Sequence, residues 1–203
     1  MRLEAPEAIP VGTGVGPQIV GVTAVAPQNE VLGLRWRDVD LVAGRAAIMQ
    51  TIIAPRYVTQ LSAPKTEKGR RSVELDAGTV EALRSHRKRQ AEERLAFGPG
   101  YEDNDLVFRR EDGTALKPQL FSLAFETRAK RAGLPRIRLH DLRHTHATLA
   151  LKAGEPAKVV SERLGHSSVA ITLDIYSHAD PGLQKGLADR LAALVDLNMS
   201  SPQ

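Results

Sequence analysis

The sequence predicts a mainly helical α+β domain with a small antiparallel sheet of three strands. Three segments are rich in strand-forming residues, and they span residues 45–53, 57–62 and 71–75. From residue 77 onward, apolar residues recur with helical spacing, and Gly or Pro separates one helical segment from the next. At 203 residues, the chain is long enough for one domain with a buried core.

The order of the elements follows from turn and cap residues. A turn at residues 66–69, closed by Gly69, leads into the third strand. The long helix at residues 77–95 has an amphipathic row of Val80, Leu83 and Arg87. The other predicted helices cover residues 120–132, 139–153, 155–165 and 183–197, and one more helix leads from Ser167 or Ser168 to Tyr176.

Composition narrows the class of protein. The formal net charge of +4 permits a nucleic-acid partner without requiring one. The chain has no cysteine, which excludes a disulfide framework and the usual zinc site with thiolate ligands. Residues 8–29 carry no charge, but Pro10, Pro17 and Pro27 would break a membrane-spanning helix. We therefore expect a cytoplasmic protein without a membrane partner.

The N-terminal segment differs from the rest of the chain. Residues 1–28 are rich in Gly, Pro and Val and show neither helical nor strand periodicity. Because such a segment offers no apolar face to bury, it is expected to be disordered or loosely packed.

Four side chains near the end of the chain point to chemistry on a phosphate. His140 and Arg143, in LHDLRHTH, lie three apart on a predicted helix, so they project from one face and can reach a single phosphate. His166 follows Leu164 and Gly165 in RLGHSS, and Tyr176 comes ten residues later in LDIYSH. This order suits a protein that cuts and rejoins DNA through a tyrosine.

The series of H-x-x-R, L-G-H and Y resembles the tyrosine recombinase, or phage integrase, family. NEVLGLRWRDVDL, at residues 29–41, is similar to the segment that opens the family's catalytic domain, and APKTEKGRRSVELD, at residues 63–76, is similar to its β-hairpin. The resemblance covers roughly residues 30–178. It implies the catalytic-domain fold of these DNA breaking-rejoining enzymes at residues 29–180, followed by a C-terminal helix and tail at residues 181–203.

The resemblance implies a role for each of five side chains. Tyr176 is the nucleophile that forms a 3′-phosphotyrosyl link, and Arg143 clamps the phosphate with its planar fork of donors. His140 and His166 donate to phosphate oxygens or shuttle a proton. Lys65, on the hairpin, is the general acid for the leaving oxygen. This scheme needs no metal ion and no other cofactor.

The sequence departs from the family pattern in two places. The family has an arginine three residues before the glutamate at position 30, and here that position is Pro27, which has neither charge nor donor. The chain also has no room for the separate N-terminal helical domain, the core-binding domain, that closes around DNA. Both features predict a truncated or degenerate member with reduced activity, and truncation, frameshift or a misplaced start would account for residues 1–28.

Basic residues crowd the hairpin and the segment before the H-x-x-R helix, and they predict contacts with the phosphate backbone of double-stranded DNA. The candidates are Lys68, Arg70, Arg71, Arg136 and Arg138. His144 and His146 form an H-x-H pair, but residues two apart on a helix point to different sides, so no metal site is predicted. His86, on the long charged helix, is expected to be exposed.

Three functions remain open at this point. The first is site-specific recombination or integration of a mobile genetic element, which needs further protomers assembled on DNA. The second is DNA binding without recombinase catalysis, and the third is nicking and closing of DNA, as in a type IB topoisomerase. The last predicted helix has an apolar stripe of Leu187, Leu191 and Leu194, which must dock on a neighbouring protomer or fold back on its own domain.

Overall fold

A computed structural model describes residues 22, 24–55, 58–62 and 70–179. The side chains are described as far as Ile175. The helices are α1 (Gln28–Leu32), α2 (Ala77–Phe97), α3 (Pro118–Arg131), α4 (Leu139–Lys152), α5 (Ala157–Leu164) and α6 (Val169–Ala179). The strands are β1 (Val39–Asp40), β2 (Arg45–Ile48), β3 (Thr51–Ile53), β4 (Gln60–Ser62) and β5 (Arg71–Glu74). Short 3-10 turns lie at Trp36–Asp38 and Gly98–Gly100. The predicted α+β class, mainly helical with a small antiparallel sheet, is confirmed.

The three-stranded sheet has the order β1-β2-β5, and both pairings are antiparallel. Arg45 pairs with Glu74 and Ile48 with Arg71, so β5 runs back along β2 in full register. A tight turn joins β1 to β2, because Oδ1 of Asp40 accepts the backbone N–H groups of Val42 and Ala43. This short first strand is not among the three that the sequence predicts.

The predicted strand at residues 45–53 is divided in two. Strand β3 leaves the first sheet and pairs with β4 in a separate two-stranded ribbon, with Ile52 opposite Leu61. The break falls where Nε2 of Gln50 donates to the carbonyl of Gly33, 2.9 Å away. A Cβ on Gly33 would lie 2.8 Å from the Gln50 carbonyl oxygen, so only glycine lets α1 approach β3 this closely. The break between β2 and β3 therefore lies where α1 packs closely against β3.

The helices begin and end close to the positions that cap residues predict. Oδ1 of Asp76 accepts the backbone N–H of Thr79 at 3.0 Å and caps α2. Gly165 ends α5 in the left-handed conformation, with φ of 70°. Helices α4, α5 and α6 pack on one another, and α5 also contacts β5. The predicted helix at residues 183–197 lies outside the described residues.

One hydrophobic cluster joins the sheet to the helices, and its members include Leu32 of α1, Ile48 of β2, Leu83 of α2, Phe121 of α3 and Leu164 of α5. Among the described residues, no helix is both long enough and apolar enough to cross a membrane.

The end of the N-terminal segment belongs to this core. Val22, Val25 and Ala26 are each no more than 2% exposed. Loose packing is therefore wrong for these three residues, whose side chains fill the space beside α1 although the segment has no periodic pattern. Residues 1–21 and 23 lie outside the described residues, so for them the expectation stays a prediction.

His86 is buried, not exposed as expected. Its ring stacks on Phe108 and lies near Trp36, with ring centroids 5.7 and 6.0 Å away. Its Nε2 lies 2.6 Å from the carbonyl oxygen of Val107, and Arg89 contacts its Nδ1. Because Arg89 can only donate, Nδ1 accepts and Nε2–H donates, which describes a neutral ring. Burial lowers the pKa of His86, in agreement with that tautomer.

Candidate active site

Helix α4 presents the H-x-x-R pair in its first turn and a half. Asp141 ties down the start of this helix, because its carboxylate accepts the backbone N–H of Arg138 at 2.7 Å and also pairs with the Arg138 guanidinium. His140 is exposed, whereas Arg143, one turn further on, is 5% exposed. The helix therefore holds one residue at the surface and the other in the interior.

Arg143 is fixed by two backbone carbonyls from distant parts of the chain. Its Nη1 donates to the carbonyl of Val25 at 2.9 Å, and its Nη2 donates to the carbonyl of Leu164 at 2.5 Å. Burial, together with the nearby charge of Arg71, lowers the pKa of Arg143 to about 10. The guanidinium is still protonated at neutral pH, so it supplies a fixed positive charge.

His166 lies directly after the glycine that ends α5. Its backbone N–H donates to the carbonyl of Ser161, and its Nδ1 lies 2.8 Å from Oγ1 of the buried Thr172 on α6. Burial lowers the pKa of His166 to about 4, and the positive charges of Arg143 and Arg71 act in the same direction. The ring is neutral at pH 7.

His140 joins the same group of charges. The His140 side chain is exposed, but the partial loss of its contact with water lowers its pKa, and His144 and Arg143 lower it further. The rings of His140 and His144 meet edge to face, with centroids 4.6 Å apart. His140 and His144 both act on the pKa of His166. The structure thus brings His140, Arg143 and His166 together, as the sequence pattern predicts.

Position 27 borders this group. A cavity of about 120 Å³ is lined by Ala26, Pro27, Gln28, Leu139, His140 and Arg143. A long side chain at position 27 would therefore start at the wall of a space that Arg143 and His140 also face. Pro27 itself supplies no donor to this space.

Two of the five predicted catalytic side chains cannot be placed. Tyr176 lies in α6, which packs against α4 and α5, but its side chain is outside the described residues. Lys65 and the predicted DNA contact Lys68 also lie outside the described residues. Their roles stay predictions.

The predicted DNA-contacting arginines fall into two groups. Arg70, Arg136 and Arg138 are exposed, and Arg138 keeps 74% of its side chain accessible although it pairs with Asp141. The side chain of Arg71 is only 8% exposed and forms an ion pair with Glu30, with 2.8 Å between Nη1 and Oε2. Contact between Arg71 and a DNA backbone does not fit this position, because all three nitrogens of its guanidinium are bonded to protein acceptors: the carbonyls of Arg163 and Val25 and the carboxylate of Glu30.

Sequence reasoning missed three contributors to the site: the carbonyl of Val25, the carboxylate of Glu30 and the hydroxyl of Thr172. Glu30 matches the glutamate of the family pattern, so that signal was present. The carbonyl carries no sequence signal, because every residue has one. Within the described part of the chain, no group of three or more His, Cys, Asp or Glu side chains could hold a metal ion.

The comparisons with known proteins agree with this fold. The profile of the phage integrase family matches residues 28–182, so the chain belongs to the phage integrase family. The matched region begins one residue after Pro27 and includes all of the predicted catalytic positions.

Two curated relatives are similar over most of this chain. A tyrosine recombinase XerC-like protein of Caldanaerobacter subterraneus subsp. tengcongensis is 35% identical over 166 residues, which cover 76% of this chain and 42% of the relative. The ICEBs1 integrase of Bacillus subtilis is 32% identical over 169 residues, which cover 82% of this chain and 45% of the relative. The chain therefore spans less than half the length of either relative.

Solved structures share the fold. The Tn1549 transposon integrase in complex with transposon right end DNA superposes with a TM-score of 0.71 at 21% identity, over 86% of this chain and 57% of the other. The XerA recombinase superposes with a TM-score of 0.66 at 24% identity, over 85% of this chain and 56% of the other. These similarities establish the catalytic-domain fold of the tyrosine recombinases.

Proposed function

We propose that this chain is the catalytic region of a tyrosine-type site-specific DNA recombinase that acts on double-stranded DNA in the cytoplasm. The observation that carries the proposal is the hydrogen bond between His166 and Thr172, because it ties the helix that bears Tyr176 to the cluster of His140 and Arg143. Tyr176 comes one helical turn after Thr172 in the same helix.

The chemistry is a transesterification. The phenolic oxygen of Tyr176 attacks the scissile phosphorus and passes its proton to His140 or His166, and the bond from phosphorus to the 5′ oxygen breaks. Lys65 donates a proton to that oxygen, which leaves as a 5′ hydroxyl. Arg143, His140 and His166 stabilise the charge on the phosphoryl oxygens in the transition state. Attack by a 5′ hydroxyl on the phosphotyrosyl link reverses these steps and rejoins the strand.

The free protein supports this assignment electrostatically. Arg143 is a fixed cation, and His166 is neutral at pH 7 because burial and neighbouring positive charges lower its pKa to about 4. A bound phosphate brings negative charge, which raises the pKa of both histidines and strengthens their donation to phosphate oxygens. The cluster is therefore complementary to a phosphate.

Reduced activity follows from the cavity beside Pro27. The space next to His140 and Arg143 contains no donor from position 27. Loss of one donor from a transition-state site typically costs about 10²- to 10³-fold in rate. We therefore propose slow formation of the covalent intermediate. The same observation favours the second candidate, a DNA-binding protein without recombinase catalysis.

A trapping experiment separates these functions. In nicked suicide duplexes of randomised sequence, cleavage releases a short fragment that carries the 5′ hydroxyl. Because this fragment diffuses away, the reverse reaction stops, and any covalent complex accumulates and can be quantified on a denaturing gel. We expect a small amount of adduct at a 3′ phosphate. Tyr176→Phe should abolish the adduct and leave DNA affinity nearly unchanged, because only the nucleophilic oxygen is removed. Arg143→Ala should lower both adduct and affinity.

The alternatives give different results in the same assay. DNA binding with no adduct in the unaltered chain would identify the binding protein. Relaxation of supercoiled plasmid by isolated protomers, without strand exchange between duplexes, would identify the nicking and closing activity. Absence of DNA binding would contradict all three candidates.

A further inference from the structure

Arg71 holds together four segments that surround the candidate active site. Its Nε donates to the carbonyl of Arg163 at 3.1 Å, its Nη1 pairs with Glu30 at 2.8 Å, and its Nη2 donates to the carbonyl of Val25 at 3.0 Å. The guanidinium extends from β5 and reaches the N-terminal segment, α1 and the end of α5. Only the planar fork of arginine can serve three acceptors in such different directions.

Arg71 and Arg143 share one acceptor. The carbonyl of Val25 accepts from Nη2 of Arg71 and from Nη1 of Arg143, so its two lone pairs serve both guanidinium groups. Two buried like charges at one carbonyl oppose each other, and the carboxylate of Glu30 offsets this repulsion. The position of the Arg143 guanidinium therefore depends on its contact with the Val25 carbonyl and on the neighbouring ion pair of Arg71 and Glu30.

Arg71 also lies against the turn that carries His166. A Cβ on Gly165 would come within 2.6 Å of Nη1 of Arg71, and 2.7 Å of its Cζ. The turn and the guanidinium are thus in direct contact, and Arg71 and His166 line the same groove. A shift of either one would move the other.

We propose that Arg71, held by Glu30, is a positioning residue that fixes Arg143 and the Gly165–His166 turn through the carbonyl of Val25. It acts on catalysis through these neighbours and does not contact DNA. This inference rests on the proposed recombinase function, since its catalytic readout is the rate of adduct formation.

The first test compares the same substitution at two arginines on neighbouring strands. In Arg71→Lys, the charge stays but the fork is lost, and we expect the rate of adduct formation on the suicide duplexes to fall about tenfold or more while DNA affinity changes less than about twofold. Arg45→Lys on β2 is the matched control and should keep the rate, because the Arg45 side chain is exposed and pairs with the exposed Glu74. An unchanged rate in Arg71→Lys would overturn the proposal, as would a parallel loss of affinity, which would identify a DNA contact.

A second pair of variants keeps the Arg71 side chain, and one of the two displaces its guanidinium. Gly165→Ala places a Cβ against the guanidinium, whereas Gly133→Ala introduces alanine at the same φ of 70° with no atom within 4 Å. Both variants carry the same backbone strain, so their difference reports the contact with Arg71. We expect adduct formation to fall further in Gly165→Ala than in Gly133→Ala. Equal losses of adduct formation in the two variants would contradict the proposal. This comparison tests the proposal even if Arg71→Lys does not fold.

A third readout needs no catalysis, so it distinguishes failure of this inference from failure of the proposed function. The pKa of His166 can be followed in the free protein by NMR titration of its ring proton. Arg71→Gln should raise that pKa because it removes a like charge, and Arg70→Gln should leave it unchanged. An unchanged pKa in Arg71→Gln would overturn the coupling. The charged and titratable groups around His166 are Arg143, His140 and His144 of α4, Arg71 of β5, and Lys158 and Glu162 of α5.

Discussion

At the scale of single residues, Arg143 supplies a charge and hydrogen-bond donors to the candidate site, and Pro27 supplies neither. Arg143 is buried and bonded to two carbonyls, so its location is set by the fold. Pro27 borders the same cavity without offering a charge or a donor. The site is therefore built around one arginine where the family pattern places two.

We expect Pro27→Arg to raise the rate of adduct formation by at least about tenfold, because it adds a guanidinium beside His140 and Arg143. The backbone at Pro27 has φ of −55° and ψ of 147°, which an arginine adopts without strain. Pro27→Ala is the control, since it removes the ring without adding a charge. Equal rates for the two variants would show that the cavity does not lead to the scissile phosphate.

Acid should destabilise the protein through His166. Its pKa is about 4 when folded and about 6.5 when unfolded, so the unfolded chain binds more protons between these values. The stabilisation is present above pH 6.5 and is lost as the pH falls toward 4. Because the site is only partly buried, we expect a loss of about 1 kcal/mol from this residue. Urea unfolding at pH 7 and pH 4.5 measures the change.

The variant that isolates His166 in this titration is His166→Gln, which cannot be protonated. Its free energy of unfolding should depend less on pH than that of the unaltered chain. His86, His140 and His146 also have lowered pKa values, so part of the dependence should remain. An identical pH dependence in both proteins would contradict the depressed pKa of His166.

At the scale of elements, the capping of α2 shows how local sequence sets a boundary. Asp76 accepts both the backbone N–H and the hydroxyl of Thr79, and these bonds lower the pKa of the carboxyl. The same helix then contributes Leu83, His86 and Gln90 to the buried side of the domain. A cap of this kind can be read from the sequence because donor and acceptor are three residues apart.

Asp76→Ala should lower the free energy of unfolding by about 1 kcal/mol, because it leaves the first turn of α2 without its cap. Glu81→Ala, on the exposed face of the same helix, should change it by less than about 0.5 kcal/mol. Urea denaturation at pH 7 measures both. A cost for Glu81→Ala equal to that for Asp76→Ala would mean that the helix is not anchored at its N-terminus.

At the scale of the whole molecule, the segment before α1 completes both the core and the site. Val22, Val25 and Ala26 fill the interior, and the carbonyl of Val25 binds Arg71 and Arg143. This segment lies just outside the region that matches the family profile. The candidate site therefore depends on residues that the family pattern does not mark.

Removal of residues 1–21 should leave the described fold and the adduct rate intact, whereas removal of residues 1–26 should destabilise the protein by several kcal/mol. The longer deletion exposes the pocket that two valines fill, at about 1.5–3 kcal/mol for each. It also takes away the acceptor that positions Arg143. Thermal unfolding and DNA trapping of the two truncated chains measure this, and equal stability would refute the role of Val22 and Val25.

The family, the mainly helical α+β class and the positions of most helices could be predicted from the amino-acid sequence alone. This was possible because H-x-x-R, L-G-H, caps and helix-ending glycines are local patterns whose physical causes lie within a few residues. The convergence of His140, Arg143 and His166 was also predicted from the family order, since the first two residues lie at the start of α4 and His166 lies directly after the glycine that ends α5.

The contacts that hold the candidate site together became visible in the three-dimensional fold. The fold placed Arg71 in the interior, divided the predicted strand at Gln50, buried His86 and brought the Val25 carbonyl to two arginines. Each of these depends on contacts between segments that are far apart in sequence, and on backbone carbonyls that every residue carries. Burial and carbonyl contacts of this kind arise when the chain packs, so no local pattern in the sequence can specify them.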